Sequence, residues 1–578
     1  MNHVLLIRYV VVALALLLVV PVSGLAQSSP SAGVNSNGSN INKDNDENPV
    51  TLHGGVNFFG ELYSIDGRER RRPASTARLS LTPTVTLYNT LKFNFNFLVS
   101  TENATGRQEL NQGGVHPKWS WGEAQAGDFT ESYTPLTLNG VKIRGASIAL
   151  FPKAVTFKAV GGVTNRAVAT TDNNRSFERR IYGASLGFGS RTGTHVTFIA
   201  LNARDQLASL NDPPPPPIGD SAVVNDTTTD TTLNPQAVTP QENLVLATVF
   251  NVSALGGKVT WKGELAGSAN TRDRRSPALD ANEVPDAVNN LLTPTVSTSF
   301  DYSYITDVQL RASKQVTLNA GYSYLGPGYV SLAVASLPVD YRQVRFGANY
   351  RSRATQVRFN AALQEDNLID QKRFTTKRNR FTLALVNRPT SRWNITTSVG
   401  LVRLDNNSTD SLASVDNNNW IIRNAHTISF RRGIIRSFGI DYTYQTAKEA
   451  NLLRKQSEFD SHTATIRLAF DLGQSLSLSP NINTVISRRG AGGWRTTKTF
   501  GASARHRALQ NRLANSASVN ISNDSQNTSL RLNLRSSYPV KNIGNLTIGL
   551  SHTRFTSDNP TAKEFNETSG NLTLSRSF

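Results

Sequence analysis

The sequence predicts an all-β protein, a closed antiparallel β-barrel of about 24 to 26 strands that crosses a membrane. Apolar and polar residues alternate with a period of two through most of the chain. Short polar turns alternate with longer polar insertions along the same region. The chain ends in Phe578, an aromatic residue that closes an alternating segment, so we expect the terminus to be built into the sheet.

The first 26 residues have the pattern of a secretory signal peptide. Arg8 precedes an apolar run over residues 9–22, and small residues follow up to Ala26, after which we predict cleavage. The alternative is an uncleaved membrane anchor. We favour the signal peptide because the apolar run is shorter than the ~20 residues that a spanning helix needs.

Residues 27–50 are rich in Ser and Asn, which predicts a flexible polar leader. The spacing of Asp44, Asp46 and Asn48 is typical of the start of a calcium loop. Pro49 stands where such a loop needs Gly, however. We therefore expect no metal site in the leader.

We predict that the barrel occupies residues 51–578. The alternating segments are about 9 to 14 residues long, and a tilted strand needs about 9 to 11 residues to cross a bilayer. A barrel also accommodates this length of chain in one domain, because it grows by adding strands. Two examples of the alternation are Leu91, Phe93, Phe95, Phe97 and Val99 against Lys92, Asn94 and Asn96, and Leu530, Leu532 and Leu534 against Arg531, Asn533 and Arg535.

The connections between these segments are of two kinds. The short polar turns are residues 254–257, 353–354, 431–433, 471–474 and 541–545. The long insertions are residues 102–118, 168–176, 205–241, 270–292, 406–419 and 556–567. Short turns at one mouth and long loops at the other are typical of a membrane barrel. A soluble propeller, solenoid or sandwich also alternates, but a solenoid repeats with a fixed period and we find none.

The last strand carries a family resemblance. Leu572, Leu574 and Phe578 fall on one face of the final segment. This ending resembles the C-terminal strand of Gram-negative outer-membrane β-barrels, in which a terminal Phe after alternating apolar residues is read by the barrel-insertion machinery. The resemblance implies an outer-membrane location, with short turns and the leader on the periplasmic side, and contact with outer-membrane lipid and lipopolysaccharide. We expect this strand to pair with the first strand near Val56.

The chain is strongly basic, with 61 Lys and Arg against 42 Asp and Glu, a formal charge of +19. Such a charge predicts an anionic partner. Because an exported chain seldom meets nucleic acid, we expect lipopolysaccharide phosphates or anionic solutes instead, and no nucleic acid. The basic residues that alternate out of phase with apolar neighbours are candidates to line the lumen. They are Lys92, Lys262, Arg345, Arg358, Arg380, Arg467, Arg531 and Arg535.

These basic residues have two interpretations. In one, they attract anionic solutes into a pore. In the other, which we favour from the sequence, they pair with Asp and Glu on neighbouring strands and stiffen the wall.

Two Gly-rich segments interrupt the alternation. One comprises residues 127–129 and 136–145, and the other residues 325–332, followed by residues 366–368. We interpret both as ordinary turns and strand starts, since Gly permits tight turns and bulges. The alternative is a loop that folds into the lumen, from either segment or from the Pro-rich insertion 205–241.

The sequence nominates no catalytic residue, metal ligand or cofactor. The histidines do not stand at metal-ligand spacing, and no Gly-x-Ser-x-Gly motif occurs. We therefore expect passive passage or export of polar or anionic solutes rather than an enzyme. The alternative is a structural or assembly role, as a surface adhesin or as the membrane component of a secretion or envelope-polymer export complex. Oligomeric state is left open.

Overall fold

The computed structural model describes residues 49–102, 111–169, 175–210, 238–279 and 291–578, which form one closed antiparallel sheet. The predicted signal peptide, and all but the last two residues of the predicted leader, lie outside these ranges. The strand segments are β1 (Val50–His53), β2 (Gly55–Asp66), β3 (Ser75–Leu81), β4 (Thr84–Leu87), β5 (Leu91–Ser100), β6 (Gln112–Trp119), β7 (Gly122–Glu131), β8 (Val141–Leu150), β9 (Val155–Asn165), β10 (Arg179–Gly189), β11 (His195–Asp205), β12 (Glu242–Ala254), β13 (Val259–Thr271), β14 (Thr298–Arg311), β15 (Val316–Leu325), β16 (Tyr341–Arg351), β17 (Thr355–Asp366), β18 (Thr376–Thr390), β19 (Trp393–Asn406), β20 (Asp416–Ser429), β21 (Ile435–Glu449), β22 (Phe459–Leu472), β23 (Leu476–Arg489), β24 (Arg495–Ala508), β25 (Leu513–Asn523), β26 (Asn527–Val540), β27 (Gly544–Ser557) and β28 (Phe565–Ser577).

These segments make a barrel of 26 strands. Only Gly54 separates β1 from β2, and only Thr82 and Pro83 separate β3 from β4. Because β1 pairs with β4 while β2 pairs with β3, each pair of segments acts as one interrupted barrel strand. Pro83 has no N–H to donate to a neighbouring strand, which accounts for the interruption between β3 and β4. The predicted all-β barrel and its strand number are confirmed.

The first and last strands close the sheet. β28 pairs with β2 in continuous register from Ser577 opposite Gly55 to Asn566 opposite Asp66. The register places Arg576 opposite Val56, so the predicted pairing of the chain end with the first strand is confirmed. Closure leaves no open sheet edge, which a membrane barrel requires because lipid cannot satisfy free N–H and C=O groups.

The two mouths of the barrel differ, as predicted. Connections at one mouth are short, namely residues 88–90, 120–121, 151–154, 190–194, 255–258, 312–315, 352–354, 391–392, 430–434, 473–475, 509–512 and 541–543. At the other, the long-loop mouth, the connections are residues 67–74, 101–111, 132–140, 166–178, 206–241, 272–297, 326–340, 367–375, 407–415, 450–458, 490–494, 524–526 and 558–564.

Three predicted insertions extend into the strand that follows them. Gln112, Asp416 and Phe565 each begin a strand inside a predicted loop. Backbone pairing continues through these strand ends although their side chains no longer alternate between apolar and polar. Short 3-10 helices occupy Leu207–Ser209, Leu255–Gly257 and Leu452–Ser457. Within the described ranges, no helix is long and apolar enough to span a membrane.

The strand register separates the side chains into two faces, because residues directly opposite in an antiparallel pair share a face. One face carries large exposed apolar side chains and is the outer, lipid-facing surface. Examples are Leu62, Phe198, Leu246, Leu265, Phe300, Phe346, Phe359, Ile466, Phe500, Leu534 and Leu550. The other face, the inner face, is rich in Ser, Thr, Asn and Arg.

We predict that deleting Phe578 lowers the amount of assembled barrel. The Gly54 N–H donates to the Phe578 carbonyl at 2.8 Å, and the Phe578 N–H donates to the Gly54 carbonyl at 3.0 Å. Both bonds are lost, at a cost of about 1–3 kcal/mol together. Folded protein is measured as the fraction that migrates faster on a gel without boiling than after boiling.

The matched control is Phe430→Ala, which removes an aromatic ring of similar exposure, 41% against 39% for Phe578, from a turn. We expect it to assemble normally. Full assembly without Phe578 would show that the chain end is not needed for closure.

Candidate functional site

Two connections from the long-loop mouth fold against the inner face. They are residues 132–140, between β7 and β8, and residues 326–340, between β15 and β16, together called the inner loop pair. The Tyr329 hydroxyl donates to the Leu136 carbonyl at 2.8 Å, and the Asn139 N–H donates to the Ala333 carbonyl at 3.2 Å. Residues 136–140 and 326–332 therefore follow the alternative, a loop that folds inward, and not the ordinary turns that we favoured. Residues 127–129 and 141–145 lie in β7 and β8, in line with the prediction of strand starts.

The inner loop pair covers an apolar patch of the barrel wall. Ile143, Ile181 and Val245 lie on the inner face of β8, β10 and β12, and each is fully buried. They form one cluster with Leu136 and Tyr329 of the loops. Burying this apolar surface stabilises the folded loops by roughly 25 cal/mol per Å². These two connections fold inward, and not as ordinary turns, because they bury the apolar inner face of the neighbouring strands.

Polar contacts fix one loop of the pair to β12 and β13. The Asn243 amide donates to the Val330 carbonyl at 2.9 Å and accepts from the Leu332 N–H at 3.2 Å. The Ser268 hydroxyl donates to the same Val330 carbonyl at 2.6 Å. Asn243 is 1% exposed, so its side-chain bonds to the loop satisfy groups that water cannot reach.

Glu264 on β13 joins the other loop to the wall. Its buried carboxylate accepts a hydrogen bond from the Thr134 hydroxyl, and within the described chain it has no basic partner. A loop that leaves β7 reaches β13 only across the concave side of the sheet, which places the contact inside the barrel. Burial, and secondarily the charge of Glu264, raises the pKa of the Tyr329 hydroxyl, which therefore remains a hydrogen-bond donor.

The predicted Asp366 to Leu368 segment belongs to the same region. Asp340, at the end of the inner loop pair, accepts from the Leu368 N–H at 2.8 Å and from the Lys372 ammonium at 2.5 Å. The hydrogen bond that the Lys372 ammonium donates to Asp340 raises the pKa of Lys372. Residues 367–375 are thus tied to residues 326–340 at the same mouth.

The register assigns all eight predicted basic residues to the inner face, although their contact with a solute stays a prediction. Lys262 on β13 is opposite Asp307 on β14, and the same row continues to Arg345 on β16 and Arg380 on β18. Arg358, on β17, lies on the same face four residues from this row. The structure therefore brings these basic residues to neighbouring strands.

A second basic row lies on β22 to β26. Arg467 on β22 shares a row with Arg531 on β26, through Asn481, Gly501 and Asn520. Arg535 follows Arg531 on the same face of β26. Lys92 on β5 is apart from both rows and lies opposite Lys118.

Only one of the eight forms an ion pair within the described part of the chain. The Arg345 guanidinium lies 2.9 Å from Asp307 and donates to the Ser323 hydroxyl at 2.9 Å. It passes over Gly321, where a Cβ atom would come within 2.2 Å of the Asp307 carboxylate. The ion pair of Arg345 fits our favoured interpretation of wall-stiffening ion pairs. For the other seven residues that interpretation stays a prediction, since none of them forms an ion pair with a described residue.

The predicted assembly-signal residues lie on the outer face of the closing strand. Leu572 is opposite Gly60 and Leu574 opposite Phe58, and Phe578 follows the last paired residue. Their recognition by the insertion machinery stays a prediction. Among the described residues, no group of three His, Asp or Glu side chains is placed to hold a metal ion.

No protein-family model and no curated protein sequence matches the chain. Among solved structures, it resembles the siderophore receptor PirA from Pseudomonas aeruginosa, with 11% identity, a TM-score of 0.36, and coverage of 91% of this chain and 80% of PirA. The outer membrane protein OpdK from Pseudomonas aeruginosa gives 12% identity, a TM-score of 0.29, and coverage of 59% and 94%. A bacterial polysaccharide outer membrane secretin gives 11% identity and a TM-score of 0.26, with coverage of 48% of this chain and 91% of the secretin. Similarities this low carry no argument about function.

We predict that Tyr329→Phe loosens the inner loop pair. The change keeps the ring but leaves the buried Leu136 carbonyl without its donor, which costs about 1–3 kcal/mol. Limited proteolysis of the folded protein in detergent should then cleave within residues 326–340 faster than in the parent. Tyr88→Phe, at an exposed turn residue, is the control and should leave cleavage unchanged. Equal protection of the Tyr329→Phe protein would contradict the assigned contact.

Proposed function

We propose that the protein is an outer-membrane conduit for passive passage of small polar anions along the inner face of β16 to β28. The observation that carries the proposal is the set of basic side chains on this face with no ion pair in the described chain. The sequence predicted five members of this set, all exposed: Arg358, Arg380, Arg467, Arg531 and Arg535.

Electrostatics supports an anionic solute over a cationic one. An unpaired guanidinium keeps its charge at every relevant pH and attracts anions. A passage with walls of low dielectric constant and one sign of charge concentrates counter-ions and repels ions of like charge. The inner loop pair covers the inner face from β8 to β13. The inner face of β16 to β28, here called the basic wall, is therefore not covered by these loops.

The remaining partners follow from the same proposal. In an outer membrane, the apolar outer face contacts lipid, and the long loops reach the lipopolysaccharide surface, where basic side chains meet phosphate groups. The short turns then face the periplasm. The barrel-insertion machinery is the expected partner during assembly.

The test is the reversal potential of single channels in planar bilayers under a KCl gradient. We predict preference for chloride over potassium. In the double variant Arg358→Gln/Arg380→Gln, the permeability ratio should fall about twofold toward one, because two fixed positive charges leave the passage.

The control is the double variant Arg512→Gln/Lys563→Gln, which removes the same charge from connections at the two mouths. Its effect on selectivity should be smaller. Cation selectivity would contradict the proposal. A folded but non-conducting barrel that co-purifies with periplasmic proteins would favour the structural or export-complex role instead.

A further inference from the structure

The inner face of β19 to β22 contains a recess of about 260 Å³. Two rows of the sheet form it. One row runs from Asn394 through Thr427 and Gly439 to Arg467. The neighbouring row contains Thr396, Ala425 and Asp441. The recess lies nearer the short-turn mouth, because Gly439 is only five residues into β21 from that end.

The recess exists because small residues stand between larger ones. A Cβ atom at Gly439 would lie 3.9 Å from both the Arg467 Cβ and the Thr427 hydroxyl oxygen. These are ordinary contact distances, so the position has room that no side chain fills. Ala425, in the neighbouring row, also leaves the wall shallow.

The charges around the recess leave one cation without a partner. Arg423 donates through Nε to the Asp441 carboxylate at 3.0 Å, so these two charges compensate each other. Arg467 makes no ion pair and no side-chain hydrogen bond within the described residues. Its exposed guanidinium therefore stands at the recess with its donors free.

We infer that the recess is a binding site for the carboxylate of a small hydroxylated acid, an inference that rests on the proposed function and names its solute class. A planar guanidinium binds a carboxylate through two parallel hydrogen bonds. A phosphate dianion is less well matched, since only one uncompensated cation faces the space. The Thr427 hydroxyl and the Asn394 amide supply polar groups for the hydroxyls of the ligand.

The volume sets the size of the ligand. Pockets for drug-sized molecules hold about 300–1,000 Å³, so a recess of this size fits a smaller one. Gluconate is a suitable probe because it combines one carboxylate with several hydroxyls. Glucose is its neutral counterpart of similar size.

The experiment measures binding of gluconate and of glucose to the folded, detergent-solubilised protein by isothermal titration calorimetry. We expect gluconate to bind and glucose to bind at least about tenfold more weakly, since a charge-assisted bond contributes about 1.5–3 kcal/mol. Arg467→Gln should weaken gluconate about tenfold or more on the same grounds. Arg467→Lys, which keeps the charge but loses the paired geometry, should be intermediate.

Two variants distinguish binding at the recess from a general attraction of gluconate to positive charge. Arg512→Gln removes an equal charge from the connection 509–512 at the short-turn mouth, outside the recess, and should change gluconate affinity less than about twofold. Gly439→Leu fills the recess and keeps Arg467, and it should abolish binding. Folding of each variant is checked by heat-modifiable migration, and Arg467→Gln decides the matter if Gly439→Leu does not fold.

Equal binding of gluconate and glucose, or unchanged affinity in Arg467→Gln, would overturn the inference. The bilayer measurement distinguishes this failure from that of the proposed function. Anion conduction without gluconate binding would reject the site and keep the conduit. Gluconate binding that depends on Arg467 in a barrel that does not conduct would keep the site and reject the conduit.

Discussion

The pairing of β28 with β2 is the contact on which the rest of the barrel depends. Without it, the sheet has two free edges whose N–H and C=O groups meet hydrocarbon. The chain is also closely packed at the closing contact. A Cβ atom at Gly54 would lie 2.7 Å from the Pro83 Cα and 2.9 Å from the Phe578 ring, so only Gly lets these three parts of the chain meet.

Closure creates an interior, and the inner face divides that interior into two chemically different parts. From β8 to β13 it is apolar and covered by the inner loop pair, with Tyr329 and Asn243 making buried hydrogen bonds. From β16 to β28 it is exposed and basic. In the proposed function, covering one part of the wall narrows the space and would leave a solute beside the arginines.

The closed barrel can be predicted from the sequence because the pattern that specifies it lies within each single strand. Alternation assigns each residue of a strand to a face, and Phe578 and Val56 identify the strands that close the sheet. The inner loop pair was missed although a signal exists in β12. There, Leu244, Val245 and Leu246 are consecutive, and a strand that is apolar on both faces must be covered on both.

The pairing state of the basic residues does not follow from the sequence in the same way. Arg345 reaches Asp307 across Gly321, from β16 to β14, whereas Arg467 beside Gly439 forms no ion pair with any described residue. Alternation gives the face of each arginine but not the distances across rows. The recess between β19 and β22 was missed for the same reason, since its residues come from four strands.

The central claim is that solute passes along the basic wall and not beneath the inner loop pair. The chain has no cysteine, so single-cysteine variants can test this with a charged thiol reagent added during current recording. Ser516→Cys, exposed beside Arg535, should react rapidly and block the current. Val245→Cys, fully buried under the loops, should remain unreactive. Equal reaction at both positions, or block only through Val245→Cys, would contradict the account.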